Sequence, residues 1–184
     1  NDSFEIFDNK NEFIQRKPQG IDKSVTLAEK GVFKHFMSKE IHEQPNVIQD
    51  SISHYINNDD LTVNLPKLPF NISNLKNITL VACGSSYYAG LVAREWFEKF
   101  SRIKVDVEIA SEFRYRETPM DSSGLTLFIS QSGETADTLA ALRMEKDRRD
   151  ATKDADFSFH QLGITNRVDS SLGRELDSVI DIGS

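Results

Sequence analysis

Leu125-Thr126-Leu127-Phe128-Ile129-Ser130-Gln131-Ser132-Gly133-Glu134-Thr135-Ala136-Asp137-Thr138-Leu139 decides the fold. The apolar run Leu127-Phe128-Ile129 stops at a hydroxyl-rich turn, Ser130-Gln131-Ser132-Gly133. Thr135, Ala136, Leu139, Ala140 and Leu142 then start a helical pattern. Strand, tight turn and helix together build an anion site. The first amides of a helix have no intrahelical partner, and the helix dipole adds positive charge there. Ser130, Ser132 and Thr135 can add hydroxyl donors and Gln131 an amide, while Gly133 lets a ligand approach the backbone. The turn holds no Lys or Arg, so it suits a phosphate held by neutral donors.

A second unit of the same kind lies upstream. Ile78-Thr79-Leu80-Val81-Ala82 reads as a buried parallel strand and Cys83-Gly84-Ser85-Ser86 as a turn, with Tyr88, Leu91, Val92, Trp96 and Phe100 at helical spacing. Val105, Val107 and Ile109 alternate as the next strand. Further strands are expected at Leu162–Thr165 and Val179–Ile182, with a short helix at Ser170–Glu175 between them. A helix from 133 to about 147 ends in the charged run Lys146–Asp150, read as solvated helix end and loop. Strands alternating with helices predict an α/β fold, a doubly wound, mostly parallel sheet. Ligands then bind beyond the carboxyl ends of the strands, where both Ser-rich turns lie. Neither turn matches Gly-x-Gly-x-x-Gly or a Lys-bearing P-loop, which makes a dinucleotide or nucleoside triphosphate a secondary reading.

Three segments precede this pattern. Phe4–Phe7 and Glu12–Ile14 flank a polar Asp8–Asn11 turn and read as a short hairpin, with a break at Pro18-Gln19-Gly20. Residues 24–57 read as two helices separated at Pro45, with the stripe Phe33, Phe36, Met37 and Ile41 expected in the core. His35, His42 and His54 lack metal-ligand spacing, so no metal site is expected. Leu65–Pro69 reads as an extended linker.

The 184 residues suffice for one cored domain with extra elements, and 38% hydrophobic with 28% charged residues is ordinary for a soluble domain. The net charge of -7 argues against a nucleic-acid partner. The single cysteine, Cys83, rules out an internal disulfide and fits a reducing, cytoplasmic setting; it is read as a small core residue. No apolar run approaches the ~20 residues of a membrane span, and no signal peptide is read. A start without Met and an end directly after an apolar run are expected of a piece of something longer.

At Ser130–Leu142 the sequence resembles the phosphosugar-binding loop in the isomerase part of the glucosamine-6-phosphate synthase family, the glutamine–fructose-6-phosphate aminotransferases. Ala82–Ser86 is similar to that family's other substrate turn, with Ser85 where the family usually has Thr. His35–Met37 with Lys39–Pro45, and Glu108–Arg116, resemble further segments of it. The likeness covers most of residues 25–145, weakens over 146–160 and resumes at Ser170–Glu175.

The resemblance implies the first of two sugar isomerase (SIS) halves, a flavodoxin-like three-layer sandwich. Residues 1–23 would be the end of a glutaminase domain and its linker, 24–60 a helical lead-in and 61–184 the SIS domain. It assigns Ser130, Gln131, Ser132 and Thr135 to the phosphate of fructose 6-phosphate, and Ser85 and Ser86 to the sugar or phosphate region. It implies no cofactor, a homodimer for the full-length protein, and catalytic groups outside this chain. Of the conceivable bases here, Glu134 is expected to point away from a bound phosphate and Glu112, beside Arg114 and Arg116, to be an ion-pair or interface residue, while His160 falls in a poorly patterned loop. Two alternatives remain open: a non-catalytic SIS sensor of sugar phosphates, and an interface module whose Ser turns are only caps.

Overall fold

The computed structural model describes residues 6–8, 10–14, 30–119, 123–152, 159–176 and 178–182. The expected break at Pro18–Gly20, the start of the helical segment at 24–29 and the loop at 153–158 lie outside them. Residues 1–44 and 45–184 form two compact units.

In the first unit Phe7 and Phe13 make an antiparallel bridge and their rings meet edge to face at 6.0 Å. Asp8 Oδ1 accepts from the amides of Lys10 and Glu12, both at 2.8 Å, and Asn11 takes the left-handed conformation that Asn tolerates. The polar turn therefore makes the expected hairpin. Phe33 sits in a bend beside His42, with ring centroids 5.1 Å apart.

Helix α1 (Phe36–Tyr55) corrects two expectations. It is one helix with Pro45 inside it, not two, and its described residues start later than the sequence pattern does. A proline removes one intrahelical bond, which flanking turns on both sides can outlast. The helix also buries none of its residues: Met37, Ile41 and Ile48 are all exposed. An amphipathic stripe shows which face seeks burial, not whether a neighbour covers it. Near its end Tyr55 and Ser51 donate hydroxyl protons to the carbonyls of Asp181 and Ile182. After the helix the chain makes a minimal antiparallel pair, β1 (Ile56–Asn57) with β2 (Thr62–Val63), turned at a left-handed Leu61.

The sheet comprises β3 (Asn77–Ala82), β4 (Lys104–Ile109), β5 (Gly124–Ile129), β6 (His160–Thr165) and β7 (Val179–Asp181). All pairings are parallel and the order is β4-β3-β5-β6-β7. The connections are α2 (Gly84–Ser101), α3 (Ala110–Phe113), α4 (Ala136–Ala151) and α5 (Ser171–Glu175). Right-handed crossovers decide the faces. The chain steps one way from β3 to β4 and the other way from β4 onward, so α2 must lie opposite α3, α4 and α5. Two separate cores reflect this. Ile78, Leu80, Val105, Leu125, Leu127 and Leu162 pack on the α2 side with Ala93 and Phe97. Val81, Phe128, Leu139, Leu142 and Leu172 pack on the other. The result is the expected doubly wound, three-layer sandwich. The outer face of α2 leaves Tyr88, Val92, Trp96 and Phe100 exposed.

One buried polar group departs from the sequence pattern. Glu145, placed by that pattern beside a solvated charged run, is 3% exposed inside α4. It accepts from Thr126 Oγ1 and Gln161 Nε2, both at 2.8 Å. Burial pushes its pKa up from the ordinary 4.5, only partly offset by the two hydrogen bonds and by Arg149 and Arg148. The folded chain therefore holds this proton at pH values where the unfolded chain has released it. This contribution to stability is full below about 4.5 and is lost as pH rises through the raised folded pKa. Glu145→Gln should remove that slope, so its gain over wild type grows from pH 4 to pH 8 in urea unfolding; parallel profiles would refute it. Phe128, fully buried under α4, should cost about 3–5 kcal/mol on truncation to Ala in the same assay.

Candidate functional site

Ala82 and Ile129 are register partners at the ends of β3 and β5. The two Ser-rich turns therefore leave the sheet side by side, about 4.8 Å apart at their roots. Between these strands the chain order reverses: α2 leaves to one face and α4 to the other. The splaying of the two helix starts opens the crevice in which such sheets bind ligands.

The first turn begins at Cys83, half-buried against the α4-side core, with extended backbone and a side chain that does not cap α2. Gly84 follows at φ +59° with open space where a side chain would stand. Ser85 is exposed and Ser86 half-buried, both in the first turn of α2. The second turn is internally bonded. Ser130, 3% exposed, accepts from the amide of Gly133 at 3.1 Å, and its hydroxyl lies 2.8 Å from that of Thr135. Ser132 Oγ accepts from the amide of Glu134 at 3.2 Å, which leaves its own proton available to a ligand. Gln131 and Ser132 are exposed and Thr135 half-buried. Thr135 precedes α4 without capping it, so the helix start keeps its amides for another acceptor. Ser130 thus shapes the turn, while Gln131, Ser132 and Thr135 present donors.

A third segment, which the sequence did not mark as part of the site, braces this turn. The Gln131 carbonyl accepts from the amide of Asn166 and from Thr165 Oγ1, both at 3.1 Å, and the Gly133 carbonyl from the amide of Leu172 at 3.0 Å. Glu134 Oε1 accepts from the amide of Ser171 at 2.8 Å. That bond, with Arg174 and Arg167 nearby, holds its carboxyl below the usual range. Ser170, the N-cap of α5, was the visible signal for this segment, because Ser before a short helical run is a start mark.

Charge around the turn is managed locally. Asp137, in the first turn of α4, pairs with Arg114 at 2.7 Å, and Arg114 also lies over the Tyr115 ring. Arg116 pairs with Glu108. Both arginines thus pair with acids other than Glu112. His160 is not in a loop: it starts β6, stacked on Phe70 with ring centroids 4.3 Å apart. Burial lowers its pKa, with Arg149 adding to the shift. It stands at the amino end of the strands, across the sheet from both turns.

Fold and site together define a class. The SIS-domain family matches residues 71–184, and the chain belongs to that family. Its sequence is 44% identical over 95% of its length to a glutamine–fructose-6-phosphate aminotransferase (isomerizing) of Bradyrhizobium diazoefficiens, covering 28% of that relative. It is 49% identical over 77% of its length to the enzyme of the same name from Zymomonas mobilis, covering 23% of it. The chain therefore spans about a quarter of the length of these curated relatives. Among solved structures, the C-terminal domain of glucosamine-fructose-6-phosphate aminotransferase from Francisella tularensis superposes with a TM-score of 0.72 at 37% identity, over 85% of this chain and 43% of that one. No helix among the described residues is long and apolar enough to cross a membrane.

The two turn glycines should respond differently to substitution. Gly133 has φ +66°, and an added Cβ would stand 1.9 Å from Ser170 Oγ. Gly84→Ala should cost only the left-handed strain, about 1 kcal/mol, whereas Gly133→Ala should cost about 3 kcal/mol or more. Adding Ser170→Gly should recover part of the second loss, since Gly at an N-cap costs only a few tenths of a kcal/mol, roughly. Urea midpoints of the three variants decide it.

Proposed function

We propose that this chain is the phosphosugar-binding half of the isomerase part of a glutamine–fructose-6-phosphate aminotransferase, and that it holds the phosphate of fructose 6-phosphate. The observation carrying this reading is the pair of hydroxyl-rich turns rooted side by side where the strand order reverses. The phosphate sits at the start of α4. Ser132 and Thr135 donate hydroxyl protons, Gln131 its side-chain amide, and the first turn of α4 its free N–H groups. If Thr135 donates outward, its oxygen is left to accept from Ser130, which turns the 2.8 Å contact between them into a relay aimed at the anion. Ser85 and Ser86 face the same crevice from α2 and contact the sugar.

Each neutral donor to a charged oxygen contributes roughly 1.5–3 kcal/mol before ordering costs, so a handful suffices for micromolar to millimolar binding. The helix dipole and free amides replace the cation the turn lacks. The same reading gives this chain no catalytic group. Isomerisation needs a base beside the substrate carbons. Here the Glu134 carboxylate is bonded to Ser171, and His160 and Glu145 lie away from the strand ends that carry the turns. Residues 1–23 are read as the end of a glutaminase domain with its linker, 24–60 as the helical lead-in, and the longer protein as a cytoplasmic homodimer making glucosamine 6-phosphate.

Titration of the chain with fructose 6-phosphate should move the backbone amide signals of residues 130–138 and 84–86, and unmoved signals there would sink the reading. Ser132→Ala should weaken binding about tenfold, with only a small drop in thermal midpoint from the lost acceptor of the Glu134 amide. Addition of fructose 6-phosphate and ammonia should yield no glucosamine 6-phosphate; product formation by the chain alone would overturn the inactivity.

A further inference from the structure

Glu134 is a puzzle in a turn that holds a phosphosugar. A carboxylate inside a turn built for a phosphate repels its ligand. Yet Glu134 is committed to a particular partner. Its Oε1 accepts from the amide of Ser171, 37 residues away in sequence, at 2.8 Å. Its own amide meanwhile donates to Ser132 Oγ. One residue therefore touches both the ligand-facing hydroxyl and the segment behind the turn. The other braces on the turn use its main chain, the amide of Ser130 to the Ile164 carbonyl and the carbonyls of Gln131 and Gly133, which any residue but proline there would supply. Glu134 contributes the brace that comes from a side chain of the turn.

We propose, resting on the phosphosugar-binding role of this turn, that Glu134 is a positioning residue: by gripping the first amide of α5 it fixes the Gly133–Glu134 backbone and the Ser132 hydroxyl in the arrangement that receives the phosphate. Its charge is spent on that grip. The Ser171 amide holds the carboxylate, and Arg174 and Arg167 offset its negative charge. The α5 segment becomes a mechanical part of the binding site without touching the ligand.

Three variants of the 184-residue chain test this against fructose 6-phosphate and against inorganic phosphate. Glu134→Ala removes the grip and the charge. Glu134→Gln keeps an acceptor for the Ser171 amide and removes only the charge. Ser171→Pro removes the donor and leaves the carboxylate, at the first helical position, where proline is tolerated and the preceding residue is already extended. Thermal midpoints recorded alongside report how much of each variant is folded.

For a positioning role, Glu134→Ala and Ser171→Pro lose about tenfold in affinity per folded molecule, while Glu134→Gln stays within about threefold of wild type. Ligand moves the Ser171 and Leu172 amide signals in wild type and Glu134→Gln, and not in Glu134→Ala. If Glu134→Ala binds as well as or better than wild type, the carboxylate is only a repelling charge and the proposal falls. It falls equally if all three variants lose midpoint but keep wild-type affinity, which is the signature of a purely structural contact. A wild-type chain that binds neither probe would overturn the phosphosugar-binding role itself, a result distinct from either of these.

Discussion

In a parallel sheet the chain returns by a right-handed crossover, and the candidate site depends on the place where that rule forces a reversal. β3 and β5 are hydrogen-bonded neighbours in register, yet the helix after one must go to the opposite face from the helix after the other. Two helix starts are thus held side by side and splayed apart. Each exposes amides that nothing in its own helix can satisfy. The buried runs Ile78–Ala82 and Leu125–Ile129 fix this geometry from below, since each strand packs a core on both faces. The site is a by-product of winding, and serines decorate what topology opens.

Within that crevice the chemistry is one of neutral donors rather than cations. The arginines nearby are occupied with acids: Arg114 with Asp137, Arg167 with Asp169. Exposed pairs of this kind contribute at most about 1 kcal/mol to stability. Each of these arginines balances the negative charge of its partner beside the turn. The turn itself is held by bonds that reach to the segment after β6, so its shape is set by a part of the chain more than thirty residues downstream.

That distance explains what the sequence revealed and what it hid. Strand, turn and helix are local patterns, so the five strands, the two Ser-rich turns and the hairpin at Phe7–Phe13 were readable within a residue or two. Bracing is not local. Nothing in Gln131 or Gly133 announces partners at Asn166 and Leu172, and Glu134 was readable only as a charge that ought to turn away. The burial of Glu145 was hidden for a related reason: it precedes a run of charged residues, and only the stacking of α4 over Thr126 and Gln161 reveals it. Pro45 misled in the other direction, because a strong local breaker was carried by the turns on either side of it. Periodicity likewise marked an apolar stripe on α1 without showing that its residues stay exposed.

The contact between Gly133 and Ser170 bears on how such a site can change. With Ser170 Oγ only 1.9 Å from where a Cβ would stand, position 133 admits no larger residue while Ser170 remains. Ser170 in turn caps α5 through the amide of Gly173 at 3.3 Å. Gly133 cannot be replaced before Ser170 has become smaller, and even then the left-handed backbone at 133 disfavours a side chain. Variation is instead channelled to the rim, at Ser85, Gln131 and Ser132, where side chains are exposed. The glycine floor of this turn is therefore the part least open to change, and its exposed rim the part most open to it.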